Sequence, residues 1–172
     1  FCLQNTNTLS AKPGALFLTR QKTETLVRDK DFDSYVISKG GYTVSGGSED
    51  YPDLVLVSTG SEGGAVQAAK KALEGHDVSV RHVSIPCLER FQEQPEEYQW
   101  TVLPPSSIIV VVEAGVTGPW MQFADDVIGL DRYGASAPIK VLQQQFGFTS
   151  EKLYEELVII LQENGILAVE EE

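Results

Sequence analysis

Three nearly continuous apolar runs set the strongest limit on how this chain folds: DLVLVST at 53–59, VSVRHV at 78–83 and IIVVVE at 108–113. A strand with one wet face alternates apolar and polar residues. An unbroken, largely β-branched run suits a strand covered on both faces, as in parallel sheets. Between the first two runs Ala65, Val66, Ala69, Ala72 and Leu73 recur at helical spacing, which marks one apolar face of a helix. Ser61 is its candidate N-cap and Gly75 stands where a C′ glycine belongs. Residues 86–98 are polar and helical in part, and 127–130 is a short fourth strand in this series. Residues 139–146 and 150–161 are read as helices, the second with Leu153, Tyr154, Leu157, Val158, Ile160 and Leu161 on its apolar side, Thr149 as N-cap and Asn164-Gly165 as stop. Strand–helix alternation of this kind predicts a three-layer α/β/α fold. A short alternating strand at Tyr42 precedes the first strand–helix–strand unit. It fits as one antiparallel edge, making a mostly parallel, mixed five-stranded sheet.

The start of the chain behaves differently. Residues 1–14 are polar and aperiodic, 15–19 (ALFLT) have the length and composition of a strand, and a charged stretch without a clean period runs to Asp33. The chain has 172 residues, which suits one domain with room for part of a second. Apolar residues make up 42%, too many for a disordered chain. The net charge is −12. General nucleic-acid binding and docking on anionic membrane both need a basic patch, so neither nucleic acid nor membrane is expected as a partner. A local cationic site for a phosphorylated substrate remains compatible. Cys2 and Cys87 cannot build a disulfide scaffold, and with only His76 and His82 no Cys/His zinc spacing exists. The first residues lack the basic start and apolar stretch of a signal peptide, and the longest apolar run, from Ile108 to Val112, is far below the roughly 20 residues of a membrane span. The expectation is a soluble, reduced, cytoplasmic protein.

Few side chains suggest chemistry. TGSEGG at 59–64 is a glycine-rich turn between strand and helix, a setting that can bind phosphate. It lacks both the dinucleotide order and the Walker lysine, and the Glu62 carboxylate repels a phosphate, so a tight strand–helix connection is the simpler account. Glu113 ends the central strand, where open α/β sheets place ligands. It can be catalytic, pair with a basic residue, or accept backbone N–H bonds from a neighbouring loop. Asp131-Arg132, after the next strand, can form an internal ion pair. His82 lies inside a strand with no second histidine or clustered carboxylate nearby, which suits a surface or core histidine better than a ligand. Cys87 has no base beside it. Ser58, Ser61 and Ser136 have no His/Asp pair that the sequence identifies, and Glu93, Glu96 and Glu97 read as a solvated helix face. Arg20 directly follows the 15–19 run. A guanidinium at a strand's carboxyl end can grip a phosphate bidentately, though a surface charge is the commoner outcome.

Taken in order, a set of segments resembles the C-terminal region of transketolases: LTRQ at 18–21, KGGY at 39–42, PDLVLVSTGSE at 52–62, VSIP at 83–86, EY at 97–98, VLP at 102–104, VEAG at 112–115, GLDRYGASAP at 129–138 and FGFT at 146–149. The resemblance runs from about Ala15 to Leu161. It implies a parent enzyme that moves a two-carbon ketol unit from a ketose phosphate to an aldose phosphate. Such enzymes use thiamine diphosphate and a divalent metal, magnesium or calcium, and work as homodimers. It further implies that residues 1–22 are the tail of a preceding pyrimidine-binding domain, 23–33 a linker, 34–163 the C-terminal domain and 164–172 an acidic tail. On this reading Arg20, in Thr19-Arg20-Gln21, contacts the substrate phosphate, while Glu113, Asp131 and Arg132 belong to structural motifs. No catalytic, cofactor-binding or metal-binding residue of the family maps onto this chain. The chain alone is then expected to be inactive, to bind neither cofactor nor metal, and to act with the remaining transketolase domains, in an architectural or regulatory role. Dihydroxyacetone synthase, a close relative, fits the same segments, and a free-standing α/β binding module is the rival from another class. One departure from the family is Pro119 before Trp120 in a loop that is short for the family, so that loop is expected to pack differently.

Overall fold

The structure is a computed structural model and describes residues 15–48 and 50–168. A short 3-10 helix, Ser34–Lys39, opens the ordered core. The Asp33 carboxylate accepts the Tyr35 N–H at its start, and Gly40 closes it with φ +88°. A side chain at Gly40 would also collide with Arg90 and the Cys87 carbonyl, both 2.6 Å from a built Cβ, so position 40 requires glycine twice over. The elements that follow are β1 Tyr42–Ser45, β2 Leu54–Ser58, α1 Gly63–Glu74, β3 Val80–Ser84, α2 Leu88–Gln92, α3 Glu96–Val102, β4 Ile108–Val112, β5 Asp126–Ile128, α4 Ile139–Phe146 and α5 Ser150–Glu163.

The sheet order is β1-β3-β2-β4-β5. β1 is antiparallel to β3 and every other pair is parallel, so the mixed sheet with one antiparallel edge is as expected. β2 lies at the centre, with Leu54 opposite Val80 on one side and Ile108 on the other. Alternate residues of its apolar run serve the two faces. Leu54 and Leu56 join Val66, Ala69 and Leu73 of α1 and Leu153, Leu157, Ile160 and Leu161 of α5 in one core. Val55 and Val57 join Phe91 of α2, Val102 of α3 and Trp120 in the other. Burying each large apolar side chain contributes about 1.5–3 kcal/mol, and every residue of β2 is buried, which accounts for its unalternating sequence.

Several local expectations are corrected. The N-cap of α1 is Glu62 rather than Ser61, and no side chain caps its amides. Ser61 instead donates its hydroxyl proton to Glu62 Oε1 at 2.8 Å. Gly75 ends α1 in a right-handed conformation, φ −68°; the left-handed residue is Asp77, φ +62°. Thr149 does cap α5, its hydroxyl oxygen accepting the Lys152 N–H at 3.3 Å, and Gly165 turns the chain with φ +72° after α5. Residues 15–19 form no strand; Leu16, Phe17 and Leu18 are exposed. Leu167, inside the expected acidic tail, packs against the α1/α5 core. Residues 1–14, with Cys2, and the end of that tail, 169–172, lie outside the described residues.

Candidate functional site

The connections from β2 and β4 leave the sheet in opposite directions. β2 runs through α1 to β3 on one side, while β4 pairs with β5 on the other. The crevice between their carboxyl ends is where open α/β sheets receive ligands. Glu113 follows β4 there and is half-buried. Its carboxylate accepts hydrogen bonds from the Thr59 hydroxyl, after β2, and from the Trp120 indole. It thus ties the loop after β2 to the loop after β4. Burial pushes the Glu113 carboxyl above its usual range, and repulsion from Glu62 adds to this, against the lowering effect of its two donors. A Cβ at Gly115 would stand 3.0 Å from Glu113 Oε1, so that glycine makes room for the carboxylate. Of the roles left open for Glu113, accepting bonds from neighbouring loops is nearest, with side-chain rather than backbone donors.

Asp131 and Arg132 do not meet each other. Asp131 accepts the Thr117 N–H at 2.9 Å and the Thr117 hydroxyl at 2.7 Å, and these bonds hold its carboxyl below the usual range. Arg132 lies over the Phe146 ring, 5.8 Å from the centroid. The Asp131–Thr117 pair, with the Leu130 N–H donated to the Gly115 carbonyl at 2.7 Å, closes the loop after β4 onto the segment after β5. Trp120 of that loop is buried, with Pro119 just ahead of it at the surface.

Sequence reasoning missed a buried pair. Ser58 Oγ and His82 Nε2 are 2.8 Å apart, and both side chains are sealed from solvent. Burial, and then the nearby Lys70 ammonium, lower the His82 pKa to about 4, so the ring is neutral near pH 7. A sealed serine meets no substrate; the pair cross-links β2 to β3. The signal was the parallel register, in which His82 faces Leu56 and Ser58 lies two residues further along the same face. That pairing is not visible in either segment alone.

Arg20 is exposed, at a bend where the Gln21 N–H donates to the Thr19 hydroxyl at 3.2 Å. Just after it, Leu26 packs on Gly63, whose built Cβ would stand 3.1 Å from a Leu26 methyl. Val27 exchanges two hydrogen bonds with the Gln67 amide, at 3.0 and 2.8 Å. No group of three His, Cys, Asp or Glu among the described residues is placed to hold a metal ion. Glu62 and Glu113 make the crevice acidic, which repels a diphosphate. These residues therefore do not fit thiamine diphosphate with its metal. No helix among the described residues is long and apolar enough to cross a membrane.

The pattern of the transketolase-like C-terminal domain matches residues 40–149. The chain belongs to the transketolase C-terminal domain family. It is 39% identical over 150 residues to the transketolase of Aquifex aeolicus, covering 85% of this chain and 22% of that protein. It is 42% identical over 147 residues to the transketolase of Mycobacterium tuberculosis strain H37Rv, covering 81% and 21%. Among solved structures, transketolase from Leishmania mexicana superposes with a TM-score of 0.71 at 36% identity over 80% of this chain and 20% of that one. A transketolase variant from Pichia stipitis gives 0.74 at 33% identity, over 84% and 21%. The chain thus spans about a fifth of the length of the relatives it matches. The α/β fold of this transketolase C-terminal domain, with its mixed five-stranded sheet, is that of the matched structures.

Proposed function

We propose that this chain is the C-terminal part of a transketolase, a thiamine diphosphate- and divalent metal-dependent transferase of two-carbon ketol units between sugar phosphates. The supporting observation is the identity of 39–42% to transketolases across more than four-fifths of the chain. In this reading residues 1–22 end a pyrimidine-binding domain, 23–33 link the two, and 34–163 form a non-catalytic architectural domain of a cytoplasmic homodimer. The cofactor and its metal sit on other parts of the parent. Arg20 supplies the electrostatic anchor for the substrate's phosphate. Binding energy gained there, away from the reacting carbon, supports turnover as well as affinity.

Two measurements test this. The 172-residue chain alone should give no calorimetric signal with thiamine diphosphate and no ketol transfer in a coupled assay; turnover by the pure chain would refute the division of labour. In the full-length enzyme, Arg20→Ala should raise KM for phosphorylated sugars by about ten- to a hundredfold, since a charge-assisted contact is worth about 1.5–3 kcal/mol. Unphosphorylated sugars should be far less affected. Equal effects on both would remove Arg20 from the phosphate site.

A further inference from the structure

A cavity of about 170 Å³ opens at the crevice between the carboxyl ends of β2 and β4. We propose that it binds a small organic cation with an apolar body, an arylalkyl- or alkylammonium ion, with Glu62 as its counter-charge. This goes beyond the transketolase reading and does not depend on it.

The walls divide by chemistry. Leu130, Leu142, Phe146 and Phe148 give an apolar body somewhere to go, and Ser61 and Glu62 form the polar side. Glu62 is only 8% exposed, yet its carboxylate offers several acceptor positions, and Ser61 fills one of them, on Oε1. Ala114, next to Glu113, completes this side of the cavity. Among the described residues no Lys or Arg lines the cavity, although the Arg132 guanidinium lies over the ring of Phe146, one of its walls. A cation that enters meets the Glu62 carboxylate beside apolar walls. An anion meets a like charge at Glu62. Size narrows the ligand further. A cavity of about 150 Å³ lined by Leu, Ile and Phe holds a benzene ring, so 170 Å³ has room for one six-membered ring with a short ammonium arm.

Benzylamine, benzyl alcohol and benzoate share a ring and differ in charge, and are the probes. Titrated into the 172-residue chain in a calorimeter, benzylammonium should bind saturably at one site per chain. Benzyl alcohol should bind about tenfold or more weakly, and benzoate not at all. E62Q keeps the Ser61 contact and removes the charge, so it should weaken benzylammonium by about ten- to a hundredfold and leave benzyl alcohol unchanged. NMR shifts on titration should centre on Leu142 and Phe148. The proposal is overturned if benzylammonium shows no saturable binding or binds no better than the alcohol. It is also overturned if E62Q leaves its affinity unchanged, or if the shifts centre elsewhere. The comparison of amine and alcohol needs only the unmodified chain, so it decides the matter even where E62Q fails to fold.

Discussion

Phenylalanine meets opposite fates at positions 91 and 17. Phe91 is fully buried, with the Tyr98 and Phe123 rings at 6.4 and 6.3 Å, and a Cβ at Gly41 would come within 2.7 Å of its ring. Phe17 is 93% exposed between exposed Leu16 and Leu18. The sheet region and the leading segment share apolar residues but not apolar partners. In the sheet, both faces of β2, β3 and β4 are covered by helices and loops that the same chain supplies. The 15–19 run has strand composition, yet no strand of the described residues pairs with it. Apolar composition therefore stabilises only where a second surface exists to receive it. Truncating the two rings gives the largest test of this contrast. Phe91→Ala leaves a cavity and should cost about 3–5 kcal/mol, while Phe17→Ala should stay within about 0.5 kcal/mol. Urea unfolding of the 172-residue chain measures both. Similar losses would mean that the leading segment is packed in solution, against the contrast drawn above.

The next effect sharpens the contrast from the side of charge. His82 and Arg20 are both basic side chains, but His82 is sealed beneath α1 with Ser58 at Nε2, its Nδ1 without a hydrogen-bond partner and the Lys70 ammonium nearby. Its pKa falls from 6.5 unfolded to about 4 folded. As pH drops below 6.5 the unfolded chain takes up this proton before the folded chain does. Stability present above pH 6.5 is therefore lost between 6.5 and 4, on the order of 3 kcal/mol at most. His82→Gln removes the titration. Subtracting its unfolding free energy from that of the unaltered chain, pH by pH, should give a difference that slopes through this window. A flat difference would show that His82 is not held neutral by burial.

How much of this was legible follows the same line. The buried strands announced themselves, because two-sided cover forces unbroken apolar runs such as 54–58. The antiparallel edge at Tyr42 followed from its place before the first crossover. The caps were legible where local chemistry decides, as at Thr149, and not at α1, where Glu62 takes the N-cap position and Ser61 turns to it. The site was less legible. Glu113 could be placed at a strand's carboxyl end, but its partners are Thr59, from the loop after β2, and Trp120, seven residues on in its own loop, brought to it only by the fold. Asp131 and Arg132, adjacent in sequence, suggested each other, and Thr117 and Phe146 took them instead. Ser58 and His82 required the register of two strands 24 residues apart. The 15–19 run has the composition of a strand and no partner strand among the described residues; strand propensity is a statement about partners as much as about residues.

The smallest effect lies where the leading segment joins the domain. Val27 donates its N–H to Gln67 Oε1 and accepts from Gln67 Nε2, so one side-chain amide imitates a strand neighbour. Two residues on, Asp29 donates its N–H to the Val44 carbonyl at 3.1 Å and its carboxylate accepts the Gly47 N–H at 3.2 Å. Arg28 sits between these two anchors, whereas Arg20 and Lys22 precede both. Gln67→Ala removes the first anchor. The bonds are exposed, so the loss should be about 1 kcal/mol for holding the segment, with little change in unfolding of the core. Trypsin reads this directly, because a protease needs extended, undocked backbone. Cleavage after Arg28 should accelerate about fivefold in the variant, the equivalent of about 1 kcal/mol. Cleavage after Arg20 and Lys22 should keep its rate and serves as the internal control. If cleavage at all three sites rose together, the amide would be holding the whole leading segment. If none changed, the Asp29 anchor would suffice alone, and the boundary between partnered and unpartnered chain would move from Val27 to Asp29.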